Sequence, residues 1–125
     1  MTKRILVTGS RNWSDWKLVK DVLVATCKND ENITIVSGDC PTGADRIATD
    51  LAEMRGWKIE KHPANWEVYG KAAGPIRNKR MVELGADICL AFIRDGSAGA
   101  THTANLTKKA GIETLVYDIH TQVSP

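Results

Sequence analysis

The stretch Asp87-Ile88-Cys89-Leu90-Ala91-Phe92 is apolar at every position after its first residue. A strand with one solvent-exposed face alternates apolar and polar residues, whereas a strand buried on both faces does not. Residues 87–92 therefore predict a central strand of a sheet that is covered on both faces. Two β-branched runs, at residues 4–8 and 33–37, predict further strands, and a glycine directly follows each of them.

Segments with apolar residues at helical spacing lie between the predicted strands. The four predicted helices cover residues 14–29, 42–55, 75–84 and 101–110. A glycine directly follows three of them, as is common at helix C-termini. Two shorter runs, at residues 57–61 and 114–117, predict the remaining strands, and residues 62–74 are expected to form an irregular connection.

Five strands that alternate with four helices predict an α/β fold with a mostly parallel sheet. Crossovers between parallel strands are right-handed, and we expect the strand order 3-2-1-4-5, the minimal doubly wound arrangement. The predicted fold is thus a Rossmann-like doubly wound parallel sheet of five strands with helices on both faces. Residues 1–119 are expected to form a single domain, and residues 120–125 a loosely ordered C-terminal tail.

The composition fits this fold. The chain has 125 residues, of which 42% are apolar and 26% are charged, and these values are typical of a soluble globular domain. No apolar run approaches the roughly 20 residues of a membrane span, so we expect a cytoplasmic protein without membrane contact. The three cysteines, Cys27, Cys40 and Cys89, form no C-x-x-C pair, and no metal site is predicted.

The positive charge is concentrated in two short segments. Residues 1–11 and 71–80 hold seven of the seventeen Lys and Arg residues and no acidic residue, which leaves ten bases against fifteen acids elsewhere. Small positive regions on an acidic body favour a small anionic ligand over a long nucleic acid. Lys3 and Arg4 fall at the far end of the first strand. The bases expected near the ligand are Arg11, Lys71, Arg77, Lys79 and Arg80.

The strand order also predicts where a ligand binds. In an open α/β sheet the ligand lies beyond the carboxyl ends of the strands, where the strand order reverses, here between strands one and four. Glycines and other small residues in the adjoining loops let an anion approach unpaired N–H groups at a helix N-terminus, although helix-capping turns use the same residues for structural reasons. The predicted contacts from these loops are Gly9, Ser10, Arg11, Gly38, Gly43, Asp45, Gly96, Ser97, Gly99, Ala100 and Thr101.

Neither the P-loop motif nor G-x-G-x-x-G is present, so no P-loop nucleotidase, ordinary dinucleotide dehydrogenase or bound cofactor is expected. Arg77 and Asn78 lie in the first turns of the third predicted helix. A cation there opposes the helix dipole unless an anion meets it. Arg77 is therefore either a ligand contact or a partner of Asp39 or Asp45.

Three further side chains are candidates on the ligand side. Trp13 and Trp66 follow strands one and three, where an indole either stacks on a base or covers a sheet end or a subunit interface. His102 lies in the first turn of the fourth predicted helix and is either a proton donor near a phosphate or an ordinary surface histidine.

Several of these segments occur in an order that resembles a known family. They are VTGSR at residues 7–11, SG at 37–38 with GAD at 43–45, GKAAGPIRN at 70–78, and GAT at 99–101. From residue 5 to about residue 117 the sequence is similar to the YspA-like (cpYpsA-related) branch of the SLOG superfamily, and GKAAGPIRN is the most specific match. The resemblance implies a nucleotide-binding domain in which Arg77 and Asn78 contact the ligand and residues 99–101 cradle a phosphate.

The resemblance implies several functions. The superfamily includes LOG phosphoribohydrolases, which release a base from a nucleoside monophosphate, DprA proteins, which bind single-stranded DNA, and sensors of NAD-derived signals. The LOG motif ends in a glutamate that residues 95–104 lack. A carboxylate normally stabilises the oxocarbenium-like state of glycosidic cleavage. The hypothesis that the protein is an N-glycosidase therefore requires that Asp45 or Asp95 take the place of this glutamate.

The leading expectation is a module that senses or sequesters a nucleotide or a nucleotide-derived molecule. The alternatives are a LOG-like N-glycosidase and a protein that binds single-stranded DNA. By analogy with the superfamily, whose YspA-like members occur in bacteria and phages, we also expect a homodimer in the bacterial cytoplasm, or in the host cytoplasm if a phage encodes the protein.

Overall fold

The computed structural model describes residues 3–28 and 32–119, and the predicted tail at 120–125 lies outside the described residues. Strands and helices alternate along the chain. The elements are β1 (Lys3–Gly9), α1 (Trp16–Cys27), β2 (Ile33–Ser37), α2 (Gly43–Arg55), β3 (Lys58–Lys61), α3 (Trp66–Tyr69), a 3-10 turn (Gly70–Ala72), α4 (Ala73–Glu83), β4 (Ile88–Arg94), α5 (Ala98–Lys109) and β5 (Glu113–Ile119).

The five strands form one parallel sheet in the order β3-β2-β1-β4-β5, which confirms the predicted order. β1 lies in the middle of the sheet, where Ile5 is opposite Ile35 of β2 and Ile88 of β4. From β1 the chain moves outward to β2 and β3 and then returns to β4 on the other side of β1. The strand order therefore reverses between β1 and β4, and the carboxyl ends of these strands flank the reversal point.

Both faces of β1 and β4 are buried, as the continuous apolar sequence of residues 88–92 predicts for β4. On one face, Ile5, Leu90 and Phe92 pack with side chains of α1 and α2. On the other face, Leu6 and Cys89 pack with the α4 residues Met81 and Val82. Each large apolar side chain buried in this way stabilises the fold by about 1.5–3 kcal/mol, so the two-sided core fixes the sheet on which the loops stand.

Two helices differ from the sequence prediction. α5 begins at Ala98, three residues before the predicted start, and its first turn is closed by the hydrogen bond of 3.1 Å from the Thr101 N–H to the Ser97 carbonyl oxygen. α3 lies inside the connection that was expected to be irregular. Asn65 caps this short helix, since its side-chain oxygen accepts a hydrogen bond from the Val68 N–H at 3.2 Å.

An ion pair joins the beginning of β1 to β3, across β2. The Arg4 guanidinium donates two hydrogen bonds of 2.8 Å to the carboxylate of Glu60, and His62 Nε2 lies 2.8 Å from the same carboxylate. The hydrogen bonds from Arg4 and then from His62 lower the pKa of Glu60 to about 2. Arg4 thus forms an ion pair that joins two strands of the sheet, and it lies away from the predicted ligand site, as expected.

Replacing Glu60 by Gln should lower the free energy of unfolding by about 1 kcal/mol at pH 7, because a partly exposed ion pair is lost. The folded-state pKa is below the ordinary value of 4.5, so the contribution of Glu60 is complete above pH 4.5 and is lost as the pH falls through about 2. Urea unfolding of the wild type and of Glu60→Gln should therefore show a difference that shrinks from about pH 5 to about pH 3. A difference that stays constant with pH contradicts this explanation, and Glu53→Gln on the exposed face of α2 is the control.

Candidate functional site

A crevice of about 730 Å³ opens at the carboxyl ends of β1 and β4, where the strand order reverses. Small-molecule sites commonly have volumes of about 300–1,000 Å³, so this crevice is large enough for a nucleotide-sized ligand. The structure brings most of the predicted contacts to its walls. These residues are Gly9, Arg11, Gly38, Asp45, Trp66, Arg77, Asn78, Asp95, Ser97, Gly99 and Ala100.

Four other predicted contacts, Ser10, Gly43, Gly96 and Thr101, are not part of the crevice wall. Ser10 is buried, and its Oγ accepts a hydrogen bond of 2.7 Å from the Arg94 N–H, which ties the loop after β1 to the end of β4. Gly43 has a φ of +76°, and a Cβ there would collide with the backbone of Ser10 and Arg11. Ser10 and Gly43 therefore hold the loops in place.

Trp13 is also absent from the crevice. Only 3% of the residue is exposed, its ring centroid lies 5.5 Å from that of Phe92, and its Nε1 donates to the Asp15 carbonyl oxygen at 3.0 Å. The indole is therefore not available to stack on a ligand, and it covers the end of the sheet, which was the alternative role. Trp66, in contrast, is 51% exposed at the edge of the crevice.

The N-terminus of α5 forms one wall of the crevice. The side chain of its N-cap, Ser97, makes no capping hydrogen bond, and the first turn contains no acidic residue. A Cβ on Gly99 would meet no atom within 4 Å, so there is open space over this helix end. An uncapped helix N-terminus carries unpaired N–H groups and a partial positive charge, and both favour an anion.

The Arg77 guanidinium lines the same crevice as the α5 N-terminus. Its Nε donates to Asn78 Oδ1 at 2.7 Å, and its Nη1 donates to the carbonyl oxygens of Gly38 and His62. Within the described part of the chain, no hydrogen bond is found for Nη2, which leaves this nitrogen for a ligand. Arg77 can take this position only because residue 38 is glycine, since a Cβ there would lie 2.9 Å from the Arg77 Cζ.

Asp45 lies in the first turn of α2 and is only 7% exposed. Its carboxylate accepts a hydrogen bond from the Cys40 N–H at 3.3 Å. Burial raises the pKa of Asp45 to about 6, although the hydrogen bond from Cys40 and the charge of Arg77 act in the opposite direction. Arg77 therefore acts on Asp45 through its charge, whereas Asp39, the other predicted partner of Arg77, pairs with Lys61 at 3.8 Å.

Two polar crevice residues lie outside the set of predicted ligand contacts: Arg94 was not foreseen, and for His102 the sequence left open a role near a phosphate or an ordinary surface position. His102 Nδ1 lies 3.4 Å from the side-chain nitrogen of Asn78, so Arg77, Asn78 and His102 form a connected series. The signal for His102 was its spacing of three residues from Gly99, which places both on one helix face once α5 begins at Ala98. Arg94 also lines the crevice, and its Nη1 donates to the Asn12 carbonyl oxygen at 3.1 Å.

The bases expected near the ligand separate into two groups. Arg11 and Arg77 line the crevice. Lys79 pairs with Glu83 at 3.9 Å, Arg80 lines a different cavity, and Lys71 lies in the exposed 3-10 turn. Local positive charge in the crevice thus comes from Arg11, Arg77 and the α5 N-terminus, whereas the charge of Arg94 is partly offset by Asp95 at 3.8 Å.

Comparison with known proteins identifies the family. The family model described as YspA, cpYpsA-related SLOG family matches residues 3–69. The chain belongs to this SLOG family. The match includes Gly9, Arg11, Gly38 and Asp45 of the crevice and ends before the segment at residues 70–78. Membership in the YspA, cpYpsA-related SLOG family indicates a role in binding or processing a nucleotide-related molecule.

A relative of this SLOG protein occurs in a phage. The Gene 61 protein of Mycobacterium phage D29 is 40% identical over 119 residues, which cover 90% of this chain and 94% of the phage protein. No solved structure matches the chain. Within residues 3–28 and 32–119, no helix is long and apolar enough to cross a membrane, and no group of His, Cys, Asp and Glu side chains is arranged to hold a metal ion.

Asp45→Asn should stabilise the unliganded protein at pH 8, because the wild type must then keep a charge in a buried position. The folded-state pKa is above the ordinary value of 3.8, so wild-type stability falls as the pH rises toward and through about 6. Calorimetry should give a gain in Tm for Asp45→Asn at pH 8 that is about half as large at pH 5 and much smaller at pH 4. Asp50→Asn, on the exposed face of α2, should show no such gain. Lower stability of Asp45→Asn at pH 8 would show that Arg77 needs the charge of Asp45.

Proposed function

We propose that the crevice binds a nucleotide or a nucleotide-derived small anion, and that the protein senses or sequesters this molecule. The observation that carries the proposal is the arrangement at the α5 N-terminus. There, an uncapped helix end with open space over Gly99 shares one crevice with Arg77, whose Nη2 has no hydrogen bond within the described residues. A phosphate would satisfy both groups at once.

Each part of a nucleotide has a matching group in the crevice. The phosphate lies on the N–H groups of residues 98–100 and is contacted by Arg77 and Arg11. Asn78 and Asp45 offer polar side-chain atoms for ribose hydroxyls, and the exposed ring of Trp66 stacks on the base. An anion also offsets the concentration of positive charge at α5, which has no acidic residue in its first turn.

Gly99→Asp should abolish nucleotide binding without loss of stability. The added carboxylate occupies the phosphate position, while an acidic residue in the first helical turn is favourable to the helix dipole. Isothermal titration with AMP, cyclic AMP and NAD measures the affinity, and thermal unfolding measures the stability. Asn105→Asp makes the same change in charge at an exposed position of α5 outside the crevice and should bind as the wild type does. Unchanged affinity of Gly99→Asp would contradict the proposal.

A second candidate function is cleavage of an N-glycosidic bond, and the environment of Asp45 favours it. A crevice carboxyl group with a pKa of about 6 is suited to proton transfer near neutral pH. Incubation with AMP distinguishes the two functions, because a hydrolase releases adenine and a binding module does not. If the wild type releases adenine and Asp45→Asn or Asp95→Asn does not, the protein is an N-glycosidase, and the proposal that it only binds the nucleotide is wrong.

Three further expectations remain proposals. The homodimer has a candidate surface on α4, where Ile76 and Leu84 are exposed. Single-stranded DNA is a less favoured partner, because its affinity depends on many basic contacts and falls steeply with salt. The cytoplasmic location rests on the sequence composition and the family resemblance.

A further inference from the structure

A second cavity, of about 780 Å³, adjoins the crevice. It lies between the end of β3, the loop that leads into α3, and the first turns of α4. We call it the α3 cavity. The crevice and the α3 cavity share two side chains, Trp66 and Arg77. A ligand that contacts Arg77 in the crevice therefore has an adjacent space into which it can extend.

The α3 cavity combines aromatic rings with positive charge. Trp66 and Tyr69, at the two ends of α3, are 51% and 48% exposed, and both line the cavity. Arg80 lies beside them, three residues after Arg77 and hence on the same side of α4. Exposed aromatic rings next to arginines are the combination with which proteins stack bases and contact the adjoining phosphates.

Local contacts hold this cavity in shape. Asn65 caps α3, and the Arg77 Nη1 donates to the carbonyl oxygen of His62 in the opposite wall. A Cβ on Gly74 would lie 3.5 Å from the Trp66 ring, so the indole rests against the first turn of α4. The aromatic wall is thus positioned before any ligand arrives, which lowers the entropic cost of stacking.

The size of the combined space points to the class of ligand. The crevice alone falls within the usual range for a small-molecule site, so a mononucleotide leaves the α3 cavity empty. We propose that the ligand is a dinucleotide, with two nucleosides joined through phosphate groups. One nucleotide lies in the crevice with the first bridging phosphate at the α5 N-terminus. The second bridging phosphate lies near Arg80, and the second base lies against Tyr69. This inference rests on the proposed function of the crevice.

Titration with AMP and with diadenosine diphosphate, which share the same base, tests the inference. The dinucleotide should bind about tenfold more tightly than AMP, because it adds one stacked base. Arg80→Gln should reduce the affinity for the dinucleotide several-fold and leave the affinity for AMP unchanged. Lys79→Gln is the matched control, since Lys79 carries the same charge on the same helix but pairs with Glu83 outside the cavity. It should bind both probes as the wild type does.

Aromatic stacking is tested separately at Tyr69. Tyr69→Ser should weaken dinucleotide binding, Tyr69→Phe should restore it, and Val68→Ser, at an exposed α3 position outside the cavity, should have no effect. Equal affinity for AMP and the dinucleotide overturns the inference and leaves the proposed function intact. Binding of neither probe overturns both. A third probe is an eight-nucleotide DNA strand. If this strand binds more tightly than the dinucleotide, and its affinity falls steeply with salt, the ligand is single-stranded nucleic acid and the dinucleotide inference is wrong.

Discussion

The guanidinium of Arg77 lies where a side chain at position 38 would have to be. A Cβ on Gly38 would come within 2.9 Å of the Arg77 Cζ and 3.2 Å of the Asp45 Oδ2. This missing side chain lets a residue of α4 reach the end of β2 and donate a hydrogen bond to the Gly38 carbonyl oxygen. The contact joins the loop after β2, the loop after β3 and the N-terminus of α4 at one point. Both cavities share that point, so their shape depends on it.

The charges around this point are not balanced within the crevice. Three arginines, Arg11, Arg77 and Arg94, line it together with an uncapped helix end, and two carboxyl groups oppose them. Asp95 lies 3.8 Å from Arg94, and burial raises the pKa of Asp45 to about 6. A buried carboxyl group and an uncapped helix N-terminus both cost stability in the absence of a ligand. Proteins keep such features where a binding site requires them. An anion at the α5 N-terminus accounts for the uncapped helix end, whereas the cost of burying Asp45 is offset in part by the hydrogen bond from the Cys40 N–H and by the charge of Arg77.

Local sequence signals were sufficient to predict the sheet and the position of the crevice. The continuous apolar run at residues 88–92 predicts burial on both faces, the β-branched run at residues 4–8 predicts a neighbouring strand, and the handedness of crossovers limits the strand order. Non-local packing decided what the sequence did not show. Nothing in the sequence around Trp13 indicates that its ring turns into the core toward Phe92. The α3 cavity was also not foreseen, because it arises from contacts between Arg77 and His62, which are fifteen residues apart.

The most direct measurement is a titration of the labelled protein with AMP, followed by backbone amide NMR. Phosphate binding at the α5 N-terminus predicts that the largest chemical-shift changes occur at the backbone N–H groups of Ala98, Gly99 and Ala100. The side-chain Nε–H signal of Arg77, recorded in the same titration, should also shift. The amides of the opposite end of the sheet, near Arg4, should not move. Changes confined to other surfaces, or no saturable change at residues 98–100, would contradict the account.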